Sequence, residues 1–414
     1  MYYYDEILKR YTSTHRKINS LTFIRQIVSL SNGVDLTPRQ WISIETLLFT
    51  IKKDLLFYLR SAPVLKNLND PSSVKKINNI IAKTEVKLDR ALKIFDTYLD
   101  LITQRQSSFL GQMLGGCDVL AATAIKQKHS ALQIIESPVV YLDRGYGASI
   151  FKQDMDFYGY KNPVSLIQIP YSMLVCSYML TSVAHEVGHA VQPQIGLDTI
   201  FPKMIFDILK DAQAPSHVKD LFVLWNRELF ADLWAFFCCG KAQSGIRDLL
   251  ALSNDTVFDI RLRDPHPTNY IRVLLSFEWC RQLWGHGKWD EWEAEWTRLY
   301  PLNLSKLKYI KTLEELRQYV PVFSRGIMKA VIPNLNVRFV DLFDMDNLSP
   351  SNLRRISEDP EKFKYGLKNL NPCHQFAVFR HMYDENMING RHCNRLVQKW
   401  LRKLNEFKTT IFDI

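Results

Sequence analysis

The sequence predicts an α+β fold that is mostly helical, with one small sheet near its middle. Apolar residues recur at three- and four-residue spacing through most of the chain, as they do along one face of a helix. Between Gly115 and Pro170, β-branched residues instead cluster in short runs bounded by glycine and proline. We therefore expect helices on both sides of a short β region.

The first region, residues 1–114, is expected to be helical throughout. Pro38 to Ala62 and Ser72 to Gln106 both show the helical spacing of apolar residues. Two strands are predicted next, in Ala131 to Asp143 and in Val164 to Pro170. We expect the second strand to form the edge of the sheet, where an extended peptide pairs by strand addition.

Helices are expected to resume near Ser172 and to continue to the end of the chain. One long helix is predicted from near Ser216 to Cys239, because Gly240 is a typical helix terminator. Arg391 to Lys408 predicts a basic amphipathic helix. Its apolar side could dock onto the protein's own core, or it could meet a membrane surface or a partner groove.

Composition and charge restrict the class of protein. Among 414 residues, hydrophobic residues make up 47% and charged residues 23%, which is typical of a globular chain. The formal net charge of +10 comes without any nucleic-acid-binding motif, so no nucleic acid partner is expected. The seven cysteines form no CxxC pair, and the first residues lack the apolar stretch of a signal peptide. We therefore expect a reducing, cytoplasmic location.

One uncharged segment, Val164 to Ala184, has about the length of a membrane span. Pro170 interrupts it, and it contains serine, threonine, glutamine and tyrosine. We interpret this segment as a buried strand followed by the start of a buried helix.

The stretch TSVAHEVGHAVQP contains the pattern HExxH. On a helix, His185 and His189 leave the same face one turn apart, so both imidazoles can bind one metal ion. Zinc suits neutral imidazole ligands and tolerates an open fourth position. Glu186 then points beside the metal, where a base for a bound water belongs. The alternative is two ordinary histidines on a buried helix.

A third ligand is expected in the apolar stretch NRELFADLWAFF. Glu228 and Asp232 share one helical face there, and a buried carboxylate is costly unless it is paired or bound to metal. Glu228 would complete the ligand set, and Asp232 would accept the free ring N–H of His185. The alternative is that Arg227 or Lys219 pairs with these acids at the surface.

A third candidate element is RLRDPHPTNYIRVLL. His266 lies between two prolines and is a candidate donor to the oxyanion of a tetrahedral intermediate. Asp264 or Arg272 could orient its ring, although a histidine between prolines is often structural. Three tyrosines near the motifs are further candidate donors, with nothing to select among them: Tyr158, Tyr160 and Tyr270.

Together, HEVGH, the later ELFAD and the still later HPTNYIR resemble the gluzincin zinc metallopeptidases. The likeness is greatest to the group of CAAX-prenyl-protease-like and heat-shock membrane proteases, and it covers roughly Val164 to Leu275. That group usually has several membrane spans, which this sequence lacks. The resemblance implies Zn²⁺ as cofactor, Glu186 as general base and acid, and Asp232 as a hydrogen-bond partner of a ligand. The implied ligands are His185, His189 and Glu228, with His266 and Arg272 near the transition state.

We therefore expect a zincin-like catalytic domain at residues 115–300, between helical regions 1–114 and 301–414. The expected activity is hydrolysis of peptide bonds in a protein or peptide substrate. A second enzymatic interpretation is a zinc hydrolase that acts on another kind of substrate. The non-enzymatic alternative is a helical partner-binding protein with a structural or relic metal site.

Overall fold

The computed structural model is mostly helical and contains three small sheets, as the predicted α+β class requires. The residues it describes are 2–21, 23–28, 36–62, 71–145, 147–261, 263–303, 309–359, 363 and 366–406.

Six helices precede the sheet in the described part of the chain: α1 (Tyr2–Ser20), α2 (Ile24–Ile27), α3 (Pro38–Arg60), α4 (Pro71–Gln104), α5 (Leu110–Ile125) and α6 (Ser130–Gln133). The start of α3 shows why a helix forms there. Pro38 occupies its first turn, while Thr37 and Gln40 exchange side-chain and backbone hydrogen bonds in a capping box. The two long helices predicted in this region, α3 and α4, are confirmed to within a few residues at each end.

The main sheet has three strands in the order β1-β5-β2. The strands of this region are β1 (Val139–Leu142), β2 (Ser149–Phe151), β3 (Asp156–Phe157), β4 (Tyr160–Lys161) and β5 (Leu166–Ile169). β5 pairs in parallel with β1 and antiparallel with β2, and is therefore the central strand. The prediction that Val164 to Pro170 forms the edge is wrong, and β2 has a free edge instead.

The sheet separates two hydrophobic cores. Val139, Tyr141 and Leu166 point into a core formed by the N-terminal helices. Val140 and Ile167, one residue further along each strand, point into the main core. Because side chains alternate between the faces of a strand, both faces of β5 are buried.

The next helices after the sheet are α7 (Tyr171–Val175), α8 (Thr181–Gln194), α9 (Leu197–Asp211), α10 (Ser216–Leu224) and α11 (Asn226–Cys239). The long helix predicted from Ser216 to Cys239 is thus two helices. They meet at Trp225, where the Asn226 side chain donates to the Val223 carbonyl and competes with the helical hydrogen bonds. Gly240 ends α11 as predicted, with a φ of +59°.

The uncharged segment from Val164 to Ala184 is divided among β5, α7, a 3-10 turn at Ser177–Met179 and the start of α8. This confirms its interpretation as a strand followed by a helix start. None of the helices that the structure describes combines the length and apolar character needed to cross a bilayer.

The remaining elements are α12 (Ile246–Leu250), α13 (Asn254–Val257), α14 (Asn269–Trp284), α15 (Lys288–Leu299), α16 (Ile310–Lys329), β6 (Val331–Ile332), β7 (Val337–Arg338), α17 (Pro350–Ser357), α18 (Pro372–Asp384) and α19 (Gly390–Glu406). The main core takes residues from Met113 to Leu404, so regions 115–300 and 301–414 share it. Their division into separate domains stays a prediction.

The predicted basic amphipathic helix is α19, whose apolar side packs against the protein's own core. Val397 and Leu401 are fully buried there. Gly116 of α5 lets the two helices approach closely, since a Cβ at this position would lie 2.2 Å from the Leu401 carbonyl oxygen. The apolar side is therefore covered, and only the basic side remains for a membrane or a partner. Phe407 and Lys408 lie outside the described residues.

Candidate metal centre

Helices α8 and α11 bring the three predicted ligands together. His185 Nε2 lies 3.4 Å from Glu228 Oε2, and His189 Nε2 lies 3.2 Å from Glu228 Oε1. The three donor atoms all fall within 4.8 Å of one another. Within the described part of the chain, this is the one group of three or more histidine, cysteine or acidic side chains that could hold a metal ion.

Gly188, within the HEVGH motif, allows α8 and α11 to pack this closely. A Cβ added at Gly188 would lie 2.7 Å from Ala231 Cα and 3.0 Å from Trp234 Cβ. The two histidines flank this contact on α8, and Glu228 lies one turn before Ala231 on α11. The glycine therefore sets the distance across which the ligands meet.

Glu186 is buried and lines the cavity next to these ligands. Burial raises the pKa of its carboxyl group, although the neighbouring His185 and His189 oppose the shift. A carboxylate with a raised pKa both accepts and returns a proton more readily near neutral pH.

Asp232 lies behind the ligands, where the sequence predicted it. Its Oδ1 is 2.8 Å from His185 Nδ1, although Nδ1 is not aligned for a full hydrogen bond, so a small ring rotation is needed to form one. Gln243 Nε2 also donates to Oδ1, at 3.3 Å. Burial alone would lower the pKa of His185, but Asp232 and Glu228 outweigh it and raise this pKa to about 10. The carboxylates therefore favour a positive charge at this position.

Arg272 lines the cavity and pairs with Asp232. Its Nε and one terminal nitrogen donate to the two oxygens of Asp232, at 2.7 and 2.8 Å. The same terminal nitrogen is 3.7 Å from Glu228 Oε2. The bidentate pair positions Asp232, and a place for Arg272 near the transition state stays a prediction.

His266 lies at the mouth of the site, and its ring is oriented by Asp264. Nδ1 of His266 is 2.5 Å from Asp264 Oδ1, and the His266 backbone N–H donates to the same oxygen. Nε2 lies 3.6 Å from Glu228 Oε1, and 63% of the side chain is exposed. The ring can therefore meet both solvent and the ligand group. Of the two groups proposed to orient it, Asp264 makes the contact.

These residues line a cavity of about 560 Å³ whose opposite wall is β2 and the residues just before it. Two basic residues of the lining, Lys152 and Arg227, had no place in the sequence-based site. Arg227 could have been noticed in the sequence because it is adjacent to Glu228. Lys152 has no such local signal, because the pairing of β2 with β5 brings it to the cavity. The cavity lining described here includes none of the three candidate tyrosines.

Comparison with protein-family models, with curated proteins and with solved structures finds no match to the chain.

Proposed function

We propose that the protein is a zinc-dependent metallopeptidase of the gluzincin type, with a zincin-like core built around α8 and α11. The observation that carries the proposal is the spacing of the donor atoms. Two ligands bound to zinc at 2.0–2.1 Å in a tetrahedral arrangement lie roughly 3.3–3.4 Å apart. The imidazole-to-carboxylate distances here are 3.4 Å to Oε2 and 3.2 Å to Oε1 of Glu228, and the three donor atoms lie within 4.8 Å of one another. His185, His189 and Glu228 would thus hold one ion after adjustment of their side chains.

The surroundings of these ligands favour a catalytic site over a structural one. Structural zinc sites are closed by four protein ligands, whereas catalytic sites keep one position for water or substrate. No fourth histidine, cysteine or acidic side chain joins the group among the described residues. A cavity opens beside it instead, and buried Glu186 lines that cavity. A structural or relic site has no use for an acid at this position.

Each neighbouring side chain has a role in peptide hydrolysis. When bound, zinc supplies a Lewis acid that polarises a carbonyl and makes water more acidic. Glu186 takes the proton of the attacking water and passes it to the leaving amine. When both ring nitrogens of His266 carry protons, Nδ1–H donates to Asp264 and Nε2–H is free to donate to the oxyanion.

The free edge of β2 supplies a place for an extended peptide substrate. Ser149 and Ile150 of this strand line the cavity, and their partner strand β5 pairs on the other side. Strand addition at this edge would place the peptide backbone along the cavity. β2 thus takes the role that the sequence assigned to Val164 to Pro170.

Metal content and cleavage of a peptide library test the proposal. We expect about one zinc per chain by elemental mass spectrometry, lost in Glu228→Ala. Glu186→Gln should keep zinc and fold but cleave peptides roughly 10²–10⁴-fold more slowly, because it lacks the base. Glu136→Gln, a half-buried glutamate outside the cavity, is the matched control and should cleave normally.

Other results would redirect the assignment. An unchanged rate in Glu186→Gln would remove this residue from the mechanism. Zinc with hydrolysis of small amides but not of casein or peptides would indicate a zinc hydrolase with another substrate. A wild-type protein that takes up no zinc, even after zinc is added, would leave the partner-binding alternative.

A further inference from the structure

Two basic side chains line the catalytic cavity without an acidic partner. Lys152 directly follows β2, and Arg227 directly precedes the candidate ligand Glu228. Among the described residues, no hydrogen bond or ion pair reaches either side chain. By contrast, buried Lys241 pairs with Glu385 at 2.6 Å. Lys152 is only partly buried and Arg227 is exposed, so both charges remain accessible to a ligand in the cavity.

The strand geometry directs Lys152 into the cavity. Successive residues of a strand point to opposite faces, so Ile150 and Lys152 share one face and Phe151 takes the other. Ile150 and Lys152 line the cavity, while Phe151 packs against the N-terminal core. Lys152 is half-buried, and burial lowers the pKa of its ammonium group, as does the nearby charge of Arg227. The negative charges of Glu186, Glu228 and Asp198 oppose this shift only in part. An anion bound between the two cations would relieve both effects.

The net charge of the whole cavity also favours an anionic ligand. Its lining contains three acidic residues, Glu186, Glu228 and Asp232, and three basic ones, Lys152, Arg227 and Arg272. These formal charges cancel. A divalent ion at the ligand group would therefore leave the cavity with two positive charges, next to the place where a substrate must lie. Such a cavity attracts an anionic substrate group.

We propose that Lys152 and Arg227 bind a carboxylate of the substrate and so direct cleavage to a peptide bond close to that carboxylate. This inference rests on the proposed peptidase function. Because Arg227 is adjacent in sequence to Glu228, the bond to be cleaved lies within one or two residues of the bound group. The carboxylate is either the C-terminus of the peptide or the side chain of an acidic residue.

Peptide binding separates these sources in the full-length Glu186→Gln protein, which retains its ligands but not its base. The probe is tetra-alanine with an uncharged BODIPY fluorophore on its N-terminus, in three forms: the free acid, the C-terminal amide, and an amide ending in glutamate. Fluorescence anisotropy should show that one or both charged forms bind about 10-fold to 100-fold more tightly than the neutral amide. Preference for the free acid would identify the C-terminus, and preference for the glutamate amide an acidic side chain.

Charge-removing variants then test which residues are responsible. Adding Lys152→Gln and Arg227→Gln should abolish the preference and leave the affinity of the neutral amide unchanged. The matched control carries Lys161→Gln and Arg298→Gln, which remove the same charge from exposed positions outside the cavity, and should keep the preference. Equal binding of all three forms, no binding of any form, or a preference that survives in the cavity variant would overturn the proposal.

Zinc content and library cleavage, measured on the wild-type protein, keep the two proposals distinguishable. A carboxylate preference in a protein that holds no zinc and cleaves nothing would leave the cation pair as a binding site and reject the peptidase. Zinc and cleavage without the preference would reject only the cation pair.

Discussion

Gly188→Ala tests whether the contact between α8 and α11 determines the metal site. The added Cβ would lie 2.7 Å from Ala231 Cα, whereas non-bonded carbons prefer roughly 3.5–4.0 Å. The two nearest atoms, Ala231 Cα and Trp234 Cβ, belong to the backbone or are attached to it, so they cannot rotate away. The helices must therefore separate by about 1 Å. Overpacking of this kind costs about 1–3 kcal/mol, and the better helix propensity of alanine returns up to roughly 1 kcal/mol. We expect a net loss of about 1–2 kcal/mol in the free energy of unfolding.

The larger effect should be on metal binding, because the ligands lie on both helices. Metal–ligand distances tolerate changes of about 0.2 Å, so a separation of about 1 Å should weaken zinc binding roughly 10-fold or more. Urea denaturation measures the stability, and competition with a chromophoric chelator measures the affinity. Gly390→Ala is the control, because its Cβ would meet nothing closer than 3.5 Å. A Gly188→Ala protein with wild-type stability and zinc affinity would refute the argument.

Three further changes test other parts of the structure. Asp232→Asn should weaken zinc binding roughly 10–100-fold in the same competition assay, because the amide has no charge and only one acceptor oxygen left for Arg272 and the ligand histidine; wild-type affinity would show that the Asp232 carboxylate is dispensable. Asp118→Ala should cost about 3–5 kcal/mol in urea denaturation because it leaves buried Arg105 unpaired, and a loss below about 1 kcal/mol would contradict this. Burial lowers the pKa of His374 to about 4, so the unfolded chain, with a pKa near 6.5, takes up this proton first as the pH falls. Stability should therefore decrease between about pH 6.5 and pH 4, by at most roughly 1.4 kcal/mol per pH unit from this residue; His374→Gln should reduce the slope, and an identical slope would exclude it as the source.

Much of the candidate site follows from local spacing in the sequence. A four-residue interval on a helix places two side chains on one face whatever surrounds them, so the pairs His185 with His189 and Glu228 with Asp232 could be recognised directly. The cost of an unpaired carboxylate in an apolar helix marked the second pair. Helical periodicity located α3 and α4 for the same reason.

The structure changed those predictions that depend on distant parts of the chain. The apolar run at β5 indicates a buried strand, but the sequence does not say how many neighbours it pairs with, and β5 is central because it pairs with β1 on one side and β2 on the other. The pairing of Arg272 with Asp232 was not predicted either, because it depends on the packing of α14 against α11. The break between α10 and α11 at Trp225 was not predicted from the hydrophobic periodicity either, because it depends on a hydrogen bond from the Asn226 side chain that competes with the helical hydrogen bonds.

The sequence by itself determined the mostly helical class, the strand-to-helix region before HEVGH and the identity of three candidate ligands, because each depends on residue type and on spacing within one element. Only the tertiary structure decided that α8 and α11 lie close enough for those ligands to meet, through the contact at Gly188. It also placed Lys152 and Arg227 in one cavity. Such juxtapositions arise from packing between elements far apart in the chain, and no local pattern of residues encodes them.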